Sequence, residues 1–446
     1  MINRIKSMIP ERSFIRLLWH YMRAFIAALI NGFPARKLTI IGITGTDGKT
    51  TTVNMATHIL KESGIKVGAI STAFLQINDD IDWNETQKTS PSPFLIQSFL
   101  RRLAKEGCTH AVLEISSHGL VQGRVNHIYP KVAAITNTSM EHLDYHGTIE
   151  QYRKDKDKLF KMLKGNGTKV LNADDETFLN YSKIESDKTI CFSNGKRKVD
   201  STSSPQVESG KYDSTISLSD IKTSHASSSA ILNIEDDKFS TFHFPLSISL
   251  PGSFNLENAL CSISCAYAVG VSIEKSTEAL KTFKGSPGRM ELIDEGQSFS
   301  VYVDFTVTPA AYEKTLSTLR QMISPDKRIL VLTGSCGDRM KEKRPIVGKL
   351  CSELADVVVV TNEDPYTEDP EKIIDEVWTG IDQSQCKAHR IFDRKEAIKF
   401  IFDNAQAGDA VILCAKGSDT TMWTKEGQIP WNEREIAREL LMTIDN

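Results

Sequence analysis

None of the eight cysteines is paired as CxxC, and none stands in a His/Cys cluster with the spacing of a zinc site. The pattern reads as reduced thiols in a cytoplasmic protein. An excess of positive charge is also missing. The formal net charge of −3 offers no overall basic field for nucleic acid. There is no tandem repeat. Nor is there an uninterrupted apolar run of about 18 residues, the length a membrane span needs. The nearest approach, SFIRLLWHYMRAFIAALINGFP over 13–34, is broken by Arg16, His20 and Arg23. No small-residue cleavage site separates it from the strand that follows, so a signal peptide is not expected. Two readings of this stretch stay open. It is an amphipathic helix packed on the body, or a helix on a membrane surface aided by Arg4, Lys6, Arg12, Arg16 and Arg23.

What is present is an ordinary globular composition, 40% apolar and 25% charged over 446 residues, enough for two to four domains. Apolar β-rich runs at 37–45, 66–72, 110–116, 131–137 and 167–175 alternate with helical patterns at 51–64 and 92–107. Such alternation predicts a mainly parallel sheet flanked by helices. Residues 185–245 turn polar and Ser-rich and read as an antiparallel excursion or loops without catalytic content. A second α/β unit starts near GSPGRMELI (285–293), with strand-like runs at 299–305, 328–334, 356–362 and 409–417. The expected organisation is a helical segment over 1–36, a central ATP-binding domain over 37–285 and a C-terminal Rossmann-like domain over 286–446.

Gly45-Thr46-Asp47-Gly48-Lys49-Thr50-Thr51 follows the first strand and opens the first helix of this unit. Glycines let backbone N–H groups approach phosphate oxygens, and the helix N-terminus adds a favourable dipole. Lys49 can reach the outer phosphates of a nucleotide, and the Thr50 hydroxyl can coordinate Mg²⁺. Only two residues separate the glycines, where the common phosphate loop has four.

This compact loop resembles that of the Mur ligases, ATP-dependent amide ligases of peptidoglycan precursors whose relatives include folylpolyglutamate synthetases. LEISSHGLVQGRV (113–125), TNTSMEHLDYHGTIEQYRKDKDKLF (136–160), NADD (172–175) and LPGSFNLENAL (250–260) resemble the family's next motifs in order. SPGRMELI, VDFTVTPAAYEKTL, TGSCGDRMKEKRPIVGKL, TNEDPYTEDP and AKGSD resemble the MurE type, which adds the third residue to UDP-N-acetylmuramoyl-L-alanyl-D-glutamate.

The resemblance implies ATP and Mg²⁺, with Glu114 and His142 as metal ligands. It implies an N6-carboxylysine at Lys156 bracing a second metal. By residue chemistry alone, Lys156 in RKDKDK reads as a solvated helix face, and Lys158 lies two residues away. Asn255 and Asn258 would approach the adenine, or serve a turn and cap, and Asp304 would sit at the nucleotide. Thr89, Ser90, Ser116, Gln122 and Arg124 would hold the muramoyl dipeptide. Arg339 would grip the incoming amino acid's carboxylate, for which a planar bidentate fork is suited. Glu363, Asp364, Pro365, Tyr366, Gly417 and Asp419 would line the amino-acid pocket. A monomer is expected.

Four departures from the family pattern stand out. The 1–36 segment takes the place of the usual N-terminal domain. Val307 replaces a common histidine. EDPY replaces DNPR, so Tyr366 stands where an arginine would pair the distal carboxylate of diaminopimelate. Asp419 replaces a glutamate. The acidic set favours a side-chain ammonium, as in L-lysine. The rival readings are a folylpolyglutamate-type ligase and an inactive nucleotide-binding scaffold on a membrane. Asp47, where asparagine is commoner, is expected to act mainly through its backbone.

Overall fold

The structure, a computed structural model, describes residues 12–86, 88–195, 212–224, 227–236 and 241–443. Arg4 and Lys6 lie outside the described residues.

Eleven strands form the larger sheet: β1 Thr39–Thr44, β2 Val67–Ile70, β3 Phe74–Ile77, β4 Asp80–Trp83, β5 His110–Glu114, β6 Val132–Ile135, β7 Thr168–Asn172, β8 Lys188–Ser193, β9 Ser214–Thr223, β10 Ser228–Asp236 and β11 Thr241–Ile248. Their order is β11-β10-β9-β8-β7-β6-β1-β5-β2-β3-β4. The run from β9 to β2 is parallel; β10, β11, β3 and β4 extend the two edges antiparallel.

The parallel core is buried on both faces, which is why its strands read as near-continuous apolar runs. Ile41 and Ile43 of β1 face one core with Val53, Met55 and Ile59 of the helix Lys49–Glu62 and Leu260 of the helix Ser253–Ala268. Ile40 faces the opposite core with Leu100, Leu159 and Phe160 from the helices Pro93–Lys105 and Ile149–Lys161. Each fully buried side chain of this size favours folding by about 1.5–3 kcal/mol.

The β3–β4 hairpin lies outside the strands expected, and β8, within the stretch expected to be antiparallel or looped, pairs parallel with β7 and β9. The polar stretch contributes β9–β11, with residues 196–211, 225–226 and 237–240 outside the described set.

The second sheet holds β12 Glu291–Ile293, β13 Ser300–Val303, β14 Ile329–Thr333, β15 Val357–Val360, β16 Lys387–Arg390 and β17 Ala410–Leu413. Their order is β12-β13-β17-β14-β15-β16, parallel except at β12. Phosphate loop and second-sheet loops meet at the carboxyl ends of the parallel strands, where open α/β sheets place their ligands.

At the start of the chain, the helix Phe14–Ile30 lies against the helix Pro93–Lys105 through Ala24, Ala27 and Ala28, all buried. No described helix is long and apolar enough to cross a membrane.

Candidate active site

A cavity of about 620 Å³ opens between the two sheets' loops. One wall is the phosphate loop. Gly45 has φ +149°, and a Cβ there would lie 1.9 Å from Thr136 Oγ1. Gly48 has φ +79°, and its Cβ would lie 2.1 Å from Asn258 Oδ1. Both positions therefore need glycine for reasons of space as well as backbone angle.

Lys49 folds back so that its Nζ donates to Thr46 O at 2.7 Å. Burial lowers its pKa, opposed mainly by the charge of Glu114. Thr50 Oγ1 donates to Glu114 Oε2 at 3.0 Å. Glu114 ends β5 beside β1, only 3% exposed, and accepts from Thr72 N at 2.7 Å and Thr72 Oγ1 at 2.9 Å. It is thus held towards the loop and does not face solvent. Thr72 Oγ1 in turn meets Thr89 Oγ1 at 2.8 Å, tying Glu114 to the wall that carries Thr89.

The Asp47 carboxylate accepts from Ser139 Oγ at 3.2 Å and from Thr308 Oγ1 at 3.3 Å. Its backbone is held as expected, with Asp47 N donating to Asn137 Oδ1 at 3.0 Å and Asp47 O accepting from Thr136 Oγ1 at 2.7 Å; the side chain adds a bridge between the two sheets' loops.

His142 adopts φ +56° at the head of the short helix Leu143–His146, and its ring lies 4.9 Å from that of His118. Burial first, then the neighbouring imidazole, holds His142 well below its ordinary pKa. His118 falls to about 3 for the same leading reason. Both imidazoles are neutral near pH 7.

Lys156 is 1% exposed, and its Nζ donates to Gly45 O at 2.6 Å from beneath the loop. Read as a solvated lysine from its charged neighbours, it is buried, and burial followed by the charge of Lys49 lowers its pKa strongly. Lys158 is the solvated one, partly exposed and paired with Asp155 at 3.0 Å.

Ser90, Ser116, Gln122 and Arg124 form a second wall of the cavity with Thr89. Arg124 Nη1 donates to Ser90 O at 2.8 Å, Arg124 Nε to Gln122 Oε1 at 2.8 Å, and Ser116 N to Ser90 Oγ at 3.0 Å. Asn255 and Asn258 also line the cavity, yet Asn255 Nδ2 is bonded to Pro251 O and Asn258 Nδ2 to Asn255 Oδ1. Asp304 is buried at the end of β13, accepting from Met290 N at 2.6 Å and from Thr306 Oγ1. It braces the turn that carries Arg289.

On the opposite wall stand Arg339, Glu363, Asp364, Tyr366 and Asp419. The Arg339 guanidinium lies 5.2 Å over the Tyr366 ring, and Tyr366 stacks on Trp423 with centroids 5.6 Å apart. Lys416, fully buried, donates to Asp364 Oδ1 at 2.8 Å and to Asp419 Oδ2 at 3.3 Å. Glu363 rises to about 7 and Asp419 to about 6, both chiefly through burial.

Four expected residues do not reach the cavity wall. Gly45 and Lys156 lie behind the loop. Pro365 packs under Gly337, and Gly417 sits against Phe305 and Gly288 O. Gly45, Pro365 and Gly417 shape the wall through their backbone, while Lys156 supports the loop from behind through Gly45 O.

Sequence reasoning missed Arg289, whose Nη2 donates to Thr50 Oγ1 at 3.2 Å across the cleft. It also missed the pair Lys343 and Glu141, 3.6 Å apart and both nearly buried. Lys343 Nζ donates to Val307 O at 3.1 Å, so a backbone carbonyl serves where the side chain is apolar. The motifs GRMELI and KRP marked both basic residues, but nothing local indicated their reach.

Among the described residues no three His, Cys, Asp or Glu side chains cluster as a metal site. The Thr50–Glu114 oxygen pair beside a phosphate loop nevertheless suits Mg²⁺, which shares its shell with phosphates and water.

A strand, a compact phosphate loop and a helix, facing a second α/β unit across a polar cleft, define a nucleotide-dependent ligase architecture. Residues 43–266 match the Mur ligase middle domain, and residues 288–417 the Mur ligase glutamate ligase domain. The chain belongs to the Mur ligase family, whose members are ATP-dependent, ADP-forming ligases that use Mg²⁺. It is 34% identical over 426 residues to the UDP-N-acetylmuramoyl-L-alanyl-D-glutamate–2,6-diaminopimelate ligase of Caldanaerobacter subterraneus subsp. tengcongensis, covering 94% of this chain and 82% of that one. A solved structure of a ligase of the same name superposes with TM-score 0.58 at 29% identity, over 91% of this chain and 78% of the other. A Mycobacterium tuberculosis folylpolyglutamate synthase complexed with ADP and AMPPCP gives TM-score 0.66 at 17% identity, over 88% and 92%, which shows a shared fold.

Proposed function

We propose that this protein joins an amino acid to UDP-N-acetylmuramoyl-L-alanyl-D-glutamate in peptidoglycan precursor synthesis, using ATP and forming ADP. The amino acid is a diamino acid such as L-lysine. The observation that carries the reading is one cavity bordered by the phosphate loop, the Thr89–Ser90–Arg124 wall and the Arg339–Glu363–Asp419 wall. ATP, acceptor and amine would meet there. Residues 37–285 then act as the ATP-binding domain and 286–446 as the amino-acid-binding domain. The protein acts as a cytoplasmic monomer in peripheral contact with a membrane through the helix Phe14–Ile30.

The acceptor's carboxylate attacks the γ-phosphorus of ATP, giving an acyl phosphate and ADP. Phosphoryl transfer of this kind relies mainly on positioning and on neutralising charge. Lys49, released from Thr46 O, supplies a cation to the outer phosphates. Thr50, Glu114 and His142 would hold Mg²⁺, which would supply further neutralisation of phosphate charge. Asn255, Asn258 and Asp304 border the nucleotide, while Thr89, Ser90, Ser116, Gln122 and Arg124 orient the acceptor. Arg339 pairs with the amino acid's carboxylate, and Glu363 attracts its side-chain ammonium, beside Asp364 and Asp419, whose charge Lys416 already shares. The neutral α-amine attacks the acyl carbon, and the tetrahedral adduct expels phosphate as the amide forms. Closure of the two walls keeps water from the acyl phosphate.

Lys156 carries an N6-carboxylate in this reading. Its lowered pKa supports a neutral amine, which adds to the carbon of CO₂ and loses one proton to give the carbamate. The carboxylate-like product would offer oxygens to a second metal.

The test is a panel of amino acids, including L-lysine, ornithine and meso-diaminopimelate, with the muramoyl dipeptide and ATP. L-Lysine-dependent ADP and tripeptide are expected. Turnover of folate with glutamate in their place would reassign the chain to the folylpolyglutamate type. ATP binding without turnover of any amino acid would make it an inactive scaffold.

A further inference from the structure

The helix Phe14–Ile30 is built the wrong way round for a helix that only packs on a protein. Its inward face is small, with Ala24, Ala27 and Ala28 buried. Its outward face is large and apolar. Ile15, Leu18, Trp19, Met22, Ile26 and Leu29 recur every three or four residues, so they share one side of the helix. Ten of the twenty-two exposed large apolar side chains among the described residues lie on this one helix. Ile15 is 67% exposed, Leu29 57% and Trp19 54%. A contiguous exposed patch of this kind marks an interaction surface, whereas scattered apolar residues do not.

The charge on the helix itself has one sign. The helix contains Arg16, His20 and Arg23 and no acidic residue. By helical spacing, Arg16 and Arg23 sit at the border between the apolar face and the buried alanines. Arg23 lies 6.0 Å over the Phe94 ring, which continues the apolar surface onto the helix Pro93–Lys105. That second helix exposes Arg101 and Lys105, and also Arg102, which pairs with Asp82 at 4.0 Å.

We propose that this face docks on a bilayer rich in anionic lipid, with the helix lying in the interface plane and the rest of the protein on the aqueous side. The apolar side chains enter the headgroup–acyl boundary, the basic border meets lipid phosphates, and Trp19 supplies an amphipathic ring of the kind favoured at that depth. The same border argues against a second copy of this chain as occupant, since two identical basic borders would oppose each other. The short alanine contact holds the helix close to the body, so the enzyme would ride on the membrane through a rigid face. This inference deepens the membrane contact and stands apart from the ligase reading, because docking needs neither ATP nor acceptor.

The test uses the full chain without nucleotide. It is sedimented with phosphatidylglycerol-rich vesicles and, in parallel, with pure phosphatidylcholine vesicles. Binding to the anionic vesicles, weakened by salt, is expected, with a blue shift in emission that disappears in Trp19→Phe. Leu18→Glu combined with Met22→Glu should lower anionic-vesicle binding at least about tenfold while leaving the melting temperature unchanged. Arg16→Gln and Arg23→Gln should each lower it about fivefold. Equal binding of wild type and the double glutamate variant would overturn the proposal, as would equal binding to both vesicle types. A dimer in solution that the double variant dissolves, without vesicle binding by the wild type, would assign the face to self-association and also overturn it.

Discussion

Thr50 Oγ1 donates to Glu114 Oε2 at 3.0 Å, joining the first turn of the phosphate-loop helix to the end of a neighbouring strand. Arg289, from the other side of the cleft, donates to the same hydroxyl at 3.2 Å. Two hard oxygen donors and a cation thus converge where nucleotide phosphates would lie.

Glu114→Gln keeps the shape and removes the charge. Steady-state assays should show kcat lower by about 10²–10³, in the range of a lost electrostatic contact to a reacting group. Arg289→Ala should lower kcat/KM by about tenfold or more, while Arg289→Lys restores only part of it. Unchanged rates in both variants would remove this corner from the chemistry.

Gly48→Ala tests the loop's packing apart from its chemistry. The new Cβ would meet Asn258 Oδ1 at 2.1 Å in a backbone conformation that side chains rarely adopt. A stability loss of about 1–3 kcal/mol is expected, read as a lower denaturation midpoint. Gly64→Ala is the control: it shares a positive φ but has open space around it, so only the backbone cost remains.

Intact mass under gentle, bicarbonate-containing conditions should show one added carbon dioxide, lost on acidification. Lys156→Arg should abolish both the adduct and most activity, because an always-charged guanidinium cannot be carboxylated in this way. An adduct that survives Lys156→Arg would place it elsewhere.

Glu363 makes the proposed amino-acid pocket sensitive to pH. Its folded pKa, raised to about 7 by burial and the adjacent Asp364, exceeds the ordinary glutamate value of about 4.3. The folded chain keeps a proton that the unfolded chain has released. This group's contribution to stability is therefore full below the ordinary value and lost as pH rises through about 7. Binding of a side-chain ammonium runs the other way, so KM for L-lysine should fall as pH rises through the same window. Denaturation midpoints and KM across this range check both signs, and Glu363→Gln should flatten both profiles.

Tyr366→Arg exchanges a stacked ring for a guanidinium. Preference should shift by about tenfold or more from L-lysine towards meso-diaminopimelate, measured as the ratio of kcat/KM values. No shift would place the distal end of the substrate away from Tyr366.

Much of this protein was determined by local sequence. The alternating apolar runs specify parallel strands because a strand buried on both faces must be apolar along its length. The compact glycine spacing marks the loop because only glycine supplies its angles and clearances. The ordered motifs carried the family. What tertiary structure alone decided is which charges are buried and what they meet. Lys156 and Lys158 share one charged stretch, yet the helix turns only Lys156 beneath the loop. Asp47, Arg289 and the Glu141–Lys343 pair gain their partners across the cleft, from residues far away in the chain. The outward face of Phe14–Ile30 follows the same logic. The sequence shows an amphipathic helix, but only its packing reveals that the alanines, and not the large apolar side chains, face the protein. Burial and partnership are properties of the folded surface, so no spacing within a segment can specify them.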